Sequence, residues 1–244
     1  MEVRILGTGA SEGVPAYGCR CPSCEEARRT GLWRRQTSLL VSHGGEHLLV
    51  DAGFDVVPEI DGVGILAVIL THWHSDHYAG LFRLRWSRVE IPLFSPPGAP
   101  PEIAGKPVSL RMRGVAPFSE LRIGPFGVTP YPLRHTAPTL GYLVEAGGRS
   151  LAVLFDTKGL PGETLRFLSG RRVDLAVVDA TYAPGVQRED HNDVDGAIEV
   201  GRAVGASRVV LTHVAHHNLP HSELDRYARE RGAEAAYDGM TLEV

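Results

Sequence analysis

The sequence has no long hydrophobic run. None of its apolar stretches approaches the roughly 20 consecutive apolar residues that a membrane-spanning helix needs. Its first residues, MEVRILGTGA, also lack the basic segment and the apolar segment that mark a secretory signal peptide. Both absences predict a soluble protein without membrane partners, and we expect it to remain in the cytoplasm.

The sequence also lacks a large excess of charge of either sign. Its 244 residues carry a formal net charge of −4 at pH 7, whereas a dedicated nucleic-acid-binding protein usually has a marked basic excess. Nucleic acid is therefore an unexpected partner, and a small anionic substrate is compatible with this charge. A homodimer is also compatible with the sequence, which gives no reliable interface.

Cysteine is scarce, and its three copies lie close together. Cys19, Cys21 and Cys24 form a C-x-C-x2-C motif, which is too compact for a disulfide framework and suits a zinc site in a reducing compartment. A closed tetrahedral site needs a fourth ligand, which we expect to be a histidine. The candidates are His216, His217 and His221. The alternative is three buried cysteines without a bound metal.

Apolar residues make up 43% of the sequence, enough for a large buried core. Short runs rich in Val, Ile and Leu predict strands at residues 3–6, 38–41, 47–50, 65–70, 141–144 and 151–155. Helical spacing predicts helices at residues 162–168, 194–204 and 222–231, the last with Ser222 as N-cap. The pair Gly147-Gly148 predicts a hairpin turn. We expect one α/β domain over residues 1–244, with two sheets packed face to face beneath outer helices.

The strongest signal is the run HWHSDH at residues 72–77, directly after a predicted strand. It contains four side chains that bind metal ions: His72, His74, Asp76 and His77. In an extended segment the first two point the same way, and a turn at Ser75 directs the other two to a second point nearby. One segment can therefore supply ligands to two adjacent metal ions. The alternative is a chance cluster of polar residues at a strand end, but four such residues within six positions rarely arise by chance.

Two metal sites need more ligands than this run supplies, and later strand ends offer them. His135 follows the strand-like run VTPYPL and an arginine, Asp156 follows LAVLF, and His213 follows RVVLT. Each residue alone would more often be an ordinary polar strand end. Together they share one arrangement, a strand followed by a ligand, so we predict that all three belong to the metal centre.

This combination resembles the metallo-β-lactamase superfamily, through THWHSDH, the single His135, Asp156 in FDT and His213 in LTH. The resemblance implies an αββα sandwich of two mixed β-sheets flanked by helices, with Asp156 bridging two divalent metal ions. One ion would be held by His72, His74 and His135, and the other by Asp76, His77 and His213. Asp51 matches an acidic position of the superfamily and would orient a ligand histidine, although a turn or helix N-cap carboxylate explains it equally well.

The cysteine motif narrows the resemblance. GTGASEGVPAYGCRCPSC, LTHVAH and the terminal DGM are similar to the phosphoribosyl 1,2-cyclic phosphate phosphodiesterase family of the carbon–phosphorus lyase pathway. That family implies a structural zinc bound by Cys19, Cys21, Cys24 and His216, and a catalytic histidine at His191. On the residues alone, a helix-start histidine without a role is the slightly better interpretation of His191. A pyrroloquinoline quinone biosynthesis protein shares the cysteine motif, so this motif does not identify a substrate.

The predicted function follows from these ligands. Two divalent ions can lower the pKa of a shared water and hold phosphoryl oxygens. We therefore predict a phosphodiesterase that hydrolyses a small cyclic phosphodiester of the phosphoribosyl type, with a metal-bridging hydroxide as nucleophile. His191 and Asp76 are the candidate catalytic residues, and His191 would bind phosphate or protonate the leaving group. The ligands suit zinc and manganese equally. The other histidines are expected at the surface or in packing: His43, His47, His217 and His221.

Other functions remain open. A tRNA 3′-processing endonuclease has a similar HxHxDH core, but the segment between Asp156 and Asp179, where its tRNA-gripping arm is expected, is short and holds one small predicted helix. A lactone or thioester hydrolase could use the same two metals, because this type of centre does not choose a substrate. A metal-stabilised binding protein that hydrolyses nothing would be expected to lack ligands, whereas all seven are present.

Overall fold

The structure, a computed structural model, describes residues 1–98 and 109–244. Its strands are Glu2–Gly7 (β1), Ser38–His43 (β2), Glu46–Val50 (β3), Ile65–Ile69 (β4), Ile91–Ser95 (β5), Leu110–Gly114 (β6), Leu121–Ile123 (β7), Phe126–Pro132 (β8), Leu140–Ala146 (β9), Arg149–Leu154 (β10), Leu175–Asp179 (β11), Arg208–Thr212 (β12), Glu234–Ala235 (β13) and Thr241–Glu243 (β14). Its helices are Pro22–Thr30 (α1), Val57–Ile60 (α2), Ser75–Tyr78 (α3), Leu81–Leu84 (α4), Gly162–Ser169 (α5), Val194–Ala203 (α6) and His221–Arg229 (α7). None of the helices in these two ranges is both long enough and apolar enough to cross a membrane.

The strands form two seven-stranded mixed sheets. The first has the order β14-β1-β2-β3-β4-β5-β6, and the second has the order β13-β12-β11-β10-β9-β8-β7. Strands β3 to β6 are parallel, as are β10 to β13, whereas the remaining neighbours are antiparallel. Because parallel neighbours end at the same edge of a sheet, the residues that follow β3 and β4, and those that follow β10 to β12, are brought together.

The two sheets face each other across a large apolar core. Leu48 and Val50 of the first sheet pack in the same cluster as Val153 and Val177 of the second. A second cluster joins the outer face of the second sheet to α5, α6 and α7, and a third joins the outer face of the first sheet to α2 and α4. This arrangement confirms the predicted αββα sandwich.

The helix predictions were incomplete in one place and wrong in another. Helix α1 was not predicted, because its segment PSCEEARRT contains no Leu, Ile or Val and buries only small side chains. Helix α7 begins at His221, and its N-cap residue Pro220 makes no side-chain cap bond, so Ser222 is not the N-cap. The other predicted helices and strands overlap those observed, and Gly147-Gly148 forms the turn between β9 and β10 with φ values of 59° and 71°.

Three residues leave their strands with a positive φ. Asp51 after β3, Asp156 after β10 and His213 after β12 have φ values of 56°, 50° and 56°. Residues with a side chain rarely adopt this left-handed backbone, and they do so most often at functional sites. A sharp turn at each of these strand ends accompanies the meeting of polar side chains from both sheets at one edge of the sandwich.

Candidate metal centre

The structure brings the seven predicted ligands of the dinuclear centre to this edge. His72 and His74 follow β4, Asp76 and His77 lie in α3, His135 follows β8, Asp156 follows β10, and His213 follows β12. They form two groups, within each of which the potential ligand atoms lie within 4.8 Å of one another. The first group is His72, His74, His135 and Asp156, and the second is Asp76, His77 and His213.

Asp156 lies between the two groups. Its Oδ2 is 3.4 Å from His72 Nε2 and 3.3 Å from His77 Nε2. Its Oδ1 is 3.2 Å from His213 Nε2. The residue is only 2% exposed, so its carboxylate faces histidines of both groups in a buried position, which is the placement that a bridging ligand requires.

The donor atoms fit divalent cations. His77 Nδ1 donates to Asp51 at 2.7 Å and His213 Nδ1 donates to Thr181 at 2.9 Å, while the two Nε2 atoms face each other at 3.4 Å. Two nitrogen ligands of a tetrahedral zinc lie about 3.3 Å apart, given zinc–nitrogen distances of about 2.0–2.1 Å. His72 Nε2 and Asp156 Oδ1 are buried without a hydrogen-bond partner among the described residues. Such unpaired buried atoms are costly, and a bound cation would pair them.

Burial and neighbouring charges shift the pKa values of these residues. Burial lowers the pKa of His72 well below its ordinary value, and the charge of His77 lowers it further. Burial raises the pKa of Asp156, but the charges of His213 and His77 outweigh this effect and hold that pKa well below its ordinary value. Burial lowers the pKa of His77, whereas the charges of Asp156 and Asp51 outweigh it and raise that pKa well above its ordinary value. The raised pKa favours the doubly protonated ring of His77 when no cation is bound, and a metal ion at Nε2 would have to displace the proton there.

Asp51 is fully buried and contacts a predicted ligand directly. Its Oδ2 accepts hydrogen bonds from His77 Nδ1 at 2.7 Å and from Thr71 Oγ1 at 2.8 Å, and its Oδ1 accepts one from the Thr71 backbone N–H at 2.7 Å. The carboxylate caps no helix. Of the two interpretations of Asp51, the one in which it orients a ligand histidine agrees with these contacts.

His191 lies beside the two groups and is held by a second buried carboxylate. Its Nδ1 donates to Asp179 Oδ2 at 2.7 Å, and its ring centroid is 4.8 Å from that of His135 and 5.1 Å from that of His213. Burial lowers the pKa of His191, but the charge and the hydrogen bond of Asp179 outweigh this and raise the pKa to about 9. Asp179 was not predicted from the sequence as a site residue, although it ends a buried strand just as Asp156 follows one.

The three cysteines form a separate cluster with one histidine. The potential ligand atoms of Cys19, Cys21, Cys24 and His216 lie within 4.8 Å of one another. His216 Nδ1 is 3.3 Å from Cys19 Sγ and 3.7 Å from Cys21 Sγ. Three thiols and one imidazole form a donor set that suits tetrahedral zinc.

The other two candidate histidines have different neighbours. His221 Nδ1 is 2.9 Å from a guanidinium nitrogen of the buried Arg34. The His217 ring packs against Tyr182, with the ring centroids 5.5 Å apart. Of the three candidates, the structure thus brings only His216 to the thiols.

The residues of the dinuclear groups lie within a region of the chain that matches a known family. Residues 46–214 match the family model of the Beta-lactamase superfamily domain. This match covers more than half of the chain and includes all seven residues of the dinuclear groups. The chain belongs to the β-lactamase superfamily.

Curated relatives of this superfamily member have different activities. Octanoyltransferase of Porphyromonas gingivalis is 28% identical over 91% of the chain, and the chain spans about half of that protein, 48% of its length. Coenzyme PQQ synthesis protein B of Methylobacterium sp. (strain 4-46) is 30% identical, with 99% of each protein covered. Ribonuclease Z of Mycobacterium sp. (strain KMS) is 31% identical, with 94% of the chain and 89% of that protein covered.

Two solved structures resemble the whole β-lactamase superfamily chain. A diphosphatase from the PhnP family superposes with a TM-score of 0.82 at 25% identity, covering 100% of this chain and 97% of the other. The zinc-bound PqqB from Methylobacterium extorquens has the same TM-score at 24% identity, covering 100% of both chains, and shows the fold alone. The superfamily and its relatives identify this chain as a metal-dependent hydrolase.

A cleft of about 280 Å³ opens over the dinuclear groups of this superfamily member. Besides five of the seven predicted ligands and His191, its lining includes Ser11, Glu12, Tyr182 and His217, and it includes no Lys or Arg among the described residues. His217 is exposed, as expected, and it also forms part of this wall. A larger cavity of about 490 Å³ lies beside α6 and contains none of the predicted ligands, so chemistry rather than size locates the site.

Proposed function

We propose that this protein is a phosphodiesterase that hydrolyses a small cyclic phosphodiester of the phosphoribosyl cyclic phosphate type, and that residues 1–244 form one domain. The seven predicted ligand residues alone do not identify this reaction, because the relatives of this chain have names that indicate different activities and one type of metal centre can serve many substrates. The observation that carries the proposal is His191, a histidine fixed by the buried Asp179 directly beside the ligand groups.

The dinuclear groups would hold two divalent ions, zinc or manganese, and the cysteine cluster with His216 would hold a structural zinc. When bound, the two ions make water nucleophilic near neutral pH and neutralise charge on the phosphoryl oxygens. Asp76 and Asp156 would supply the carboxylate ligands, and His72, His74, His77, His135 and His213 the imidazole ligands. The potential ligand atoms of each group lie within 4.8 Å of one another, which supports this assignment.

His191 would provide the protein's own proton donor. Its Nδ1–H is committed to Asp179, so Nε2 is the nitrogen left for a substrate. A protonated His191 would donate from Nε2 to a phosphoryl oxygen or to the leaving alkoxide. Positive charge bound at Asp156 would lower the pKa of His191, whereas the hydrogen bond to Asp179 would still hold the ring in place.

The dimensions of the cleft favour a compact substrate. Its volume of about 280 Å³ lies just below the range of about 300–1,000 Å³ that is typical of pockets for drug-sized ligands. A sugar phosphodiester is a compact substrate of this kind. Glu12 and Tyr182 also line the cleft, and hydroxyl groups of a sugar could form hydrogen bonds with them.

Processing of tRNA 3′ ends is a second candidate, because a ribonuclease Z is among the relatives. Two observations weigh against it. Between Asp156 and Asp179 the structure contains one helix, α5, of eight residues, and no inserted arm. The described cleft lining also lacks the Lys and Arg side chains that usually bind a nucleic-acid backbone.

Lactone or thioester hydrolysis could use the same dinuclear groups, because this type of centre does not choose a substrate, and a non-hydrolytic binding role is a third alternative, although all seven expected ligand residues are present. The relative named as a coenzyme PQQ synthesis protein is the reason to consider these alternatives. They predict a metal-loaded protein that cleaves no phosphodiester, and this result separates them from the proposed function.

The deciding experiment measures cleavage of bis(p-nitrophenyl) phosphate and of a ribose 1,2-cyclic phosphate by the metal-loaded protein. His191→Ala should reduce kcat by about 10²–10⁴-fold, the usual contribution of a proton donor, with the metal content unchanged. His43→Ala, at the hairpin between β2 and β3, is the matched control. If the wild-type protein holds its metals and cleaves neither diester, the proposed function is wrong.

A further inference from the structure

Two matching hydrogen-bond units flank the dinuclear groups, one at the edge of each sheet. Each unit contains a buried Asp at or just after the end of a strand, a buried Thr nearby, and two histidines. The first unit is Asp51, Thr71, His72 and His77, and the second is Asp179, Thr181, His191 and His213. In both units the Asp accepts hydrogen bonds from the backbone N–H and the hydroxyl of the Thr and from one histidine. The hydroxyl shares its Asp oxygen with the histidine in the first unit and with the backbone N–H in the second.

In the first unit the Asp binds one histidine directly and the other through the Thr. Asp51 accepts hydrogen bonds from the backbone N–H and the hydroxyl of Thr71, at 2.7 and 2.8 Å. It also accepts one from His77 Nδ1 at 2.7 Å. His72 Nδ1 lies 3.0 Å from the Thr71 hydroxyl oxygen. Both histidines of this unit are in the predicted ligand set.

The second unit repeats these contacts. Asp179 accepts hydrogen bonds from the backbone N–H and the hydroxyl of Thr181, at 3.0 and 2.6 Å. It also accepts one from His191 Nδ1 at 2.7 Å. His213 Nδ1 lies 2.9 Å from the Thr181 hydroxyl oxygen. Here one histidine is in the predicted ligand set, and the other is the proposed proton donor.

The single hydroxyl proton of each Thr determines to which neighbour the hydroxyl donates and from which neighbour it accepts. A threonine hydroxyl has one proton and two acceptor lone pairs, so a hydroxyl that donates to the Asp can only accept from the histidine. The histidine must then carry its proton on Nδ1, which leaves the Nε2 lone pair for a metal ion. Asp179 thus sets the orientation of His213 through Thr181.

We propose that Thr181 is a positioning residue that couples His213, as a metal ligand, to the Asp179–His191 pair, as the counterpart of Thr71 in the first sheet. The proposal rests on the metal and proton-donor roles assigned under the proposed function. Loss of the Thr181 hydroxyl would free the His213 ring and would leave one oxygen of Asp179 with fewer donors. It would therefore weaken metal binding at the group that contains His213.

A merely space-filling Thr181 is the alternative, since the residue is 4% exposed. The chain supplies a matched control for it. Thr212 is fully buried directly before His213, and its hydroxyl has no hydrogen-bond partner among the described residues. Thr212→Val therefore makes the same chemical change next to the same histidine without removing a hydrogen bond.

The test compares zinc affinity in Thr181→Val, Thr181→Ser and Thr212→Val by competition with a chromophoric chelator. Thr181→Val should weaken one zinc of the dinuclear centre by about 10–100-fold, as is usual for loss of a partner that orients a ligand. The zinc at the cysteine cluster should be unaffected. Thr181→Ser should restore the affinity, and Thr212→Val should match the wild-type protein.

Nuclear magnetic resonance of the ¹⁵N-histidine-labelled, zinc-loaded protein gives a second readout. The His213 Nδ1–H should be protected from solvent exchange in the wild type and in Thr181→Ser, and it should lose this protection in Thr181→Val. Equal zinc affinities for Thr181→Val and Thr212→Val, or an unprotected His213 Nδ1–H in the wild type, would overturn the proposal. Neither readout needs a substrate, so failure of the phosphodiesterase assignment would be recognised separately.

Discussion

Replacement of Asp51 by Asn tests how far the fold, rather than the metal, prepares the dinuclear centre. Asp51 accepts three hydrogen bonds, from His77 Nδ1, Thr71 Oγ1 and the Thr71 backbone N–H. An Asn side chain has the same shape but only one acceptor oxygen. If that oxygen keeps the bonds to His77 and the Thr71 hydroxyl, the amide NH₂ must face the Thr71 N–H, donor against donor.

The magnitude follows from these contacts. A buried donor without an acceptor costs about 1–3 kcal/mol. Burial raises the pKa of Asp51, so removal of its charge offsets part of this cost in the metal-free protein, and we expect a loss near the lower end of that range. The loss of metal affinity is not offset in this way, because a neutral Asn also makes His77 a weaker ligand. We expect about a 10–100-fold loss of metal affinity.

Two measurements separate these effects. Urea unfolding of the metal-free protein gives the change in unfolding free energy, and chelator competition gives the change in metal affinity. Asp61→Asn, on the exposed turn after α2, is the control and should change neither. If Asp51→Asn lowers the stability of the metal-free protein but leaves metal affinity at the wild-type value, then Asp51 is only a structural residue and the reasoning fails.

Three further predictions concern the metals. His74→Ala should lose metal from the dinuclear centre and lose turnover while it keeps the zinc of the cysteine cluster, as metal analysis and a diester assay would show. Cys21→Ala should lose that zinc and should also reduce activity, because a zinc joining residue 19 to His216 ties the N-terminal loop to the segment that carries His213; normal activity without this zinc would contradict the argument. Metal affinity should rise with pH through neutrality, because the charges of Asp156 and Asp51 raise the pKa of His77 and a metal must displace its proton. Calorimetry in two buffers would detect the released protons.

The predicted ligand residues were accessible from the sequence because each one lies in a segment that follows a strand. A hydrophobic run followed by His or Asp is a local pattern, and HWHSDH places four such residues in six positions. The fold class followed from the same alternation of apolar runs and turns. Helix α1 was not predicted because the cysteine loop, rather than a broad apolar face, fixes it to the protein. Its only buried residues are Ser23, Cys24 and Ala27.

The contacts that define the site depend on tertiary structure and were not accessible. Asp179 and His191 are 12 positions apart, and only the loop after β11 brings them together. The choice between His216 and His217 was equally out of reach, because neighbouring residues point in different directions after the turn at His213, which has a φ of 56°. His216 faces the thiols, and His217 faces Tyr182.

The positive φ values at Asp51, Asp156 and His213 connect these observations. A residue with a side chain held in the left-handed region costs on the order of 1–3 kcal/mol, so three of them cost a sizeable share of the 5–15 kcal/mol that stabilises a typical domain. Such strain persists only where surrounding contacts compensate for it. Two of the three residues belong to the paired Asp–Thr units, and the third, Asp156, lies among the histidines of both groups. The hydrogen bonds of the two units therefore orient the histidines and also hold the strained strand ends in place before any metal binds.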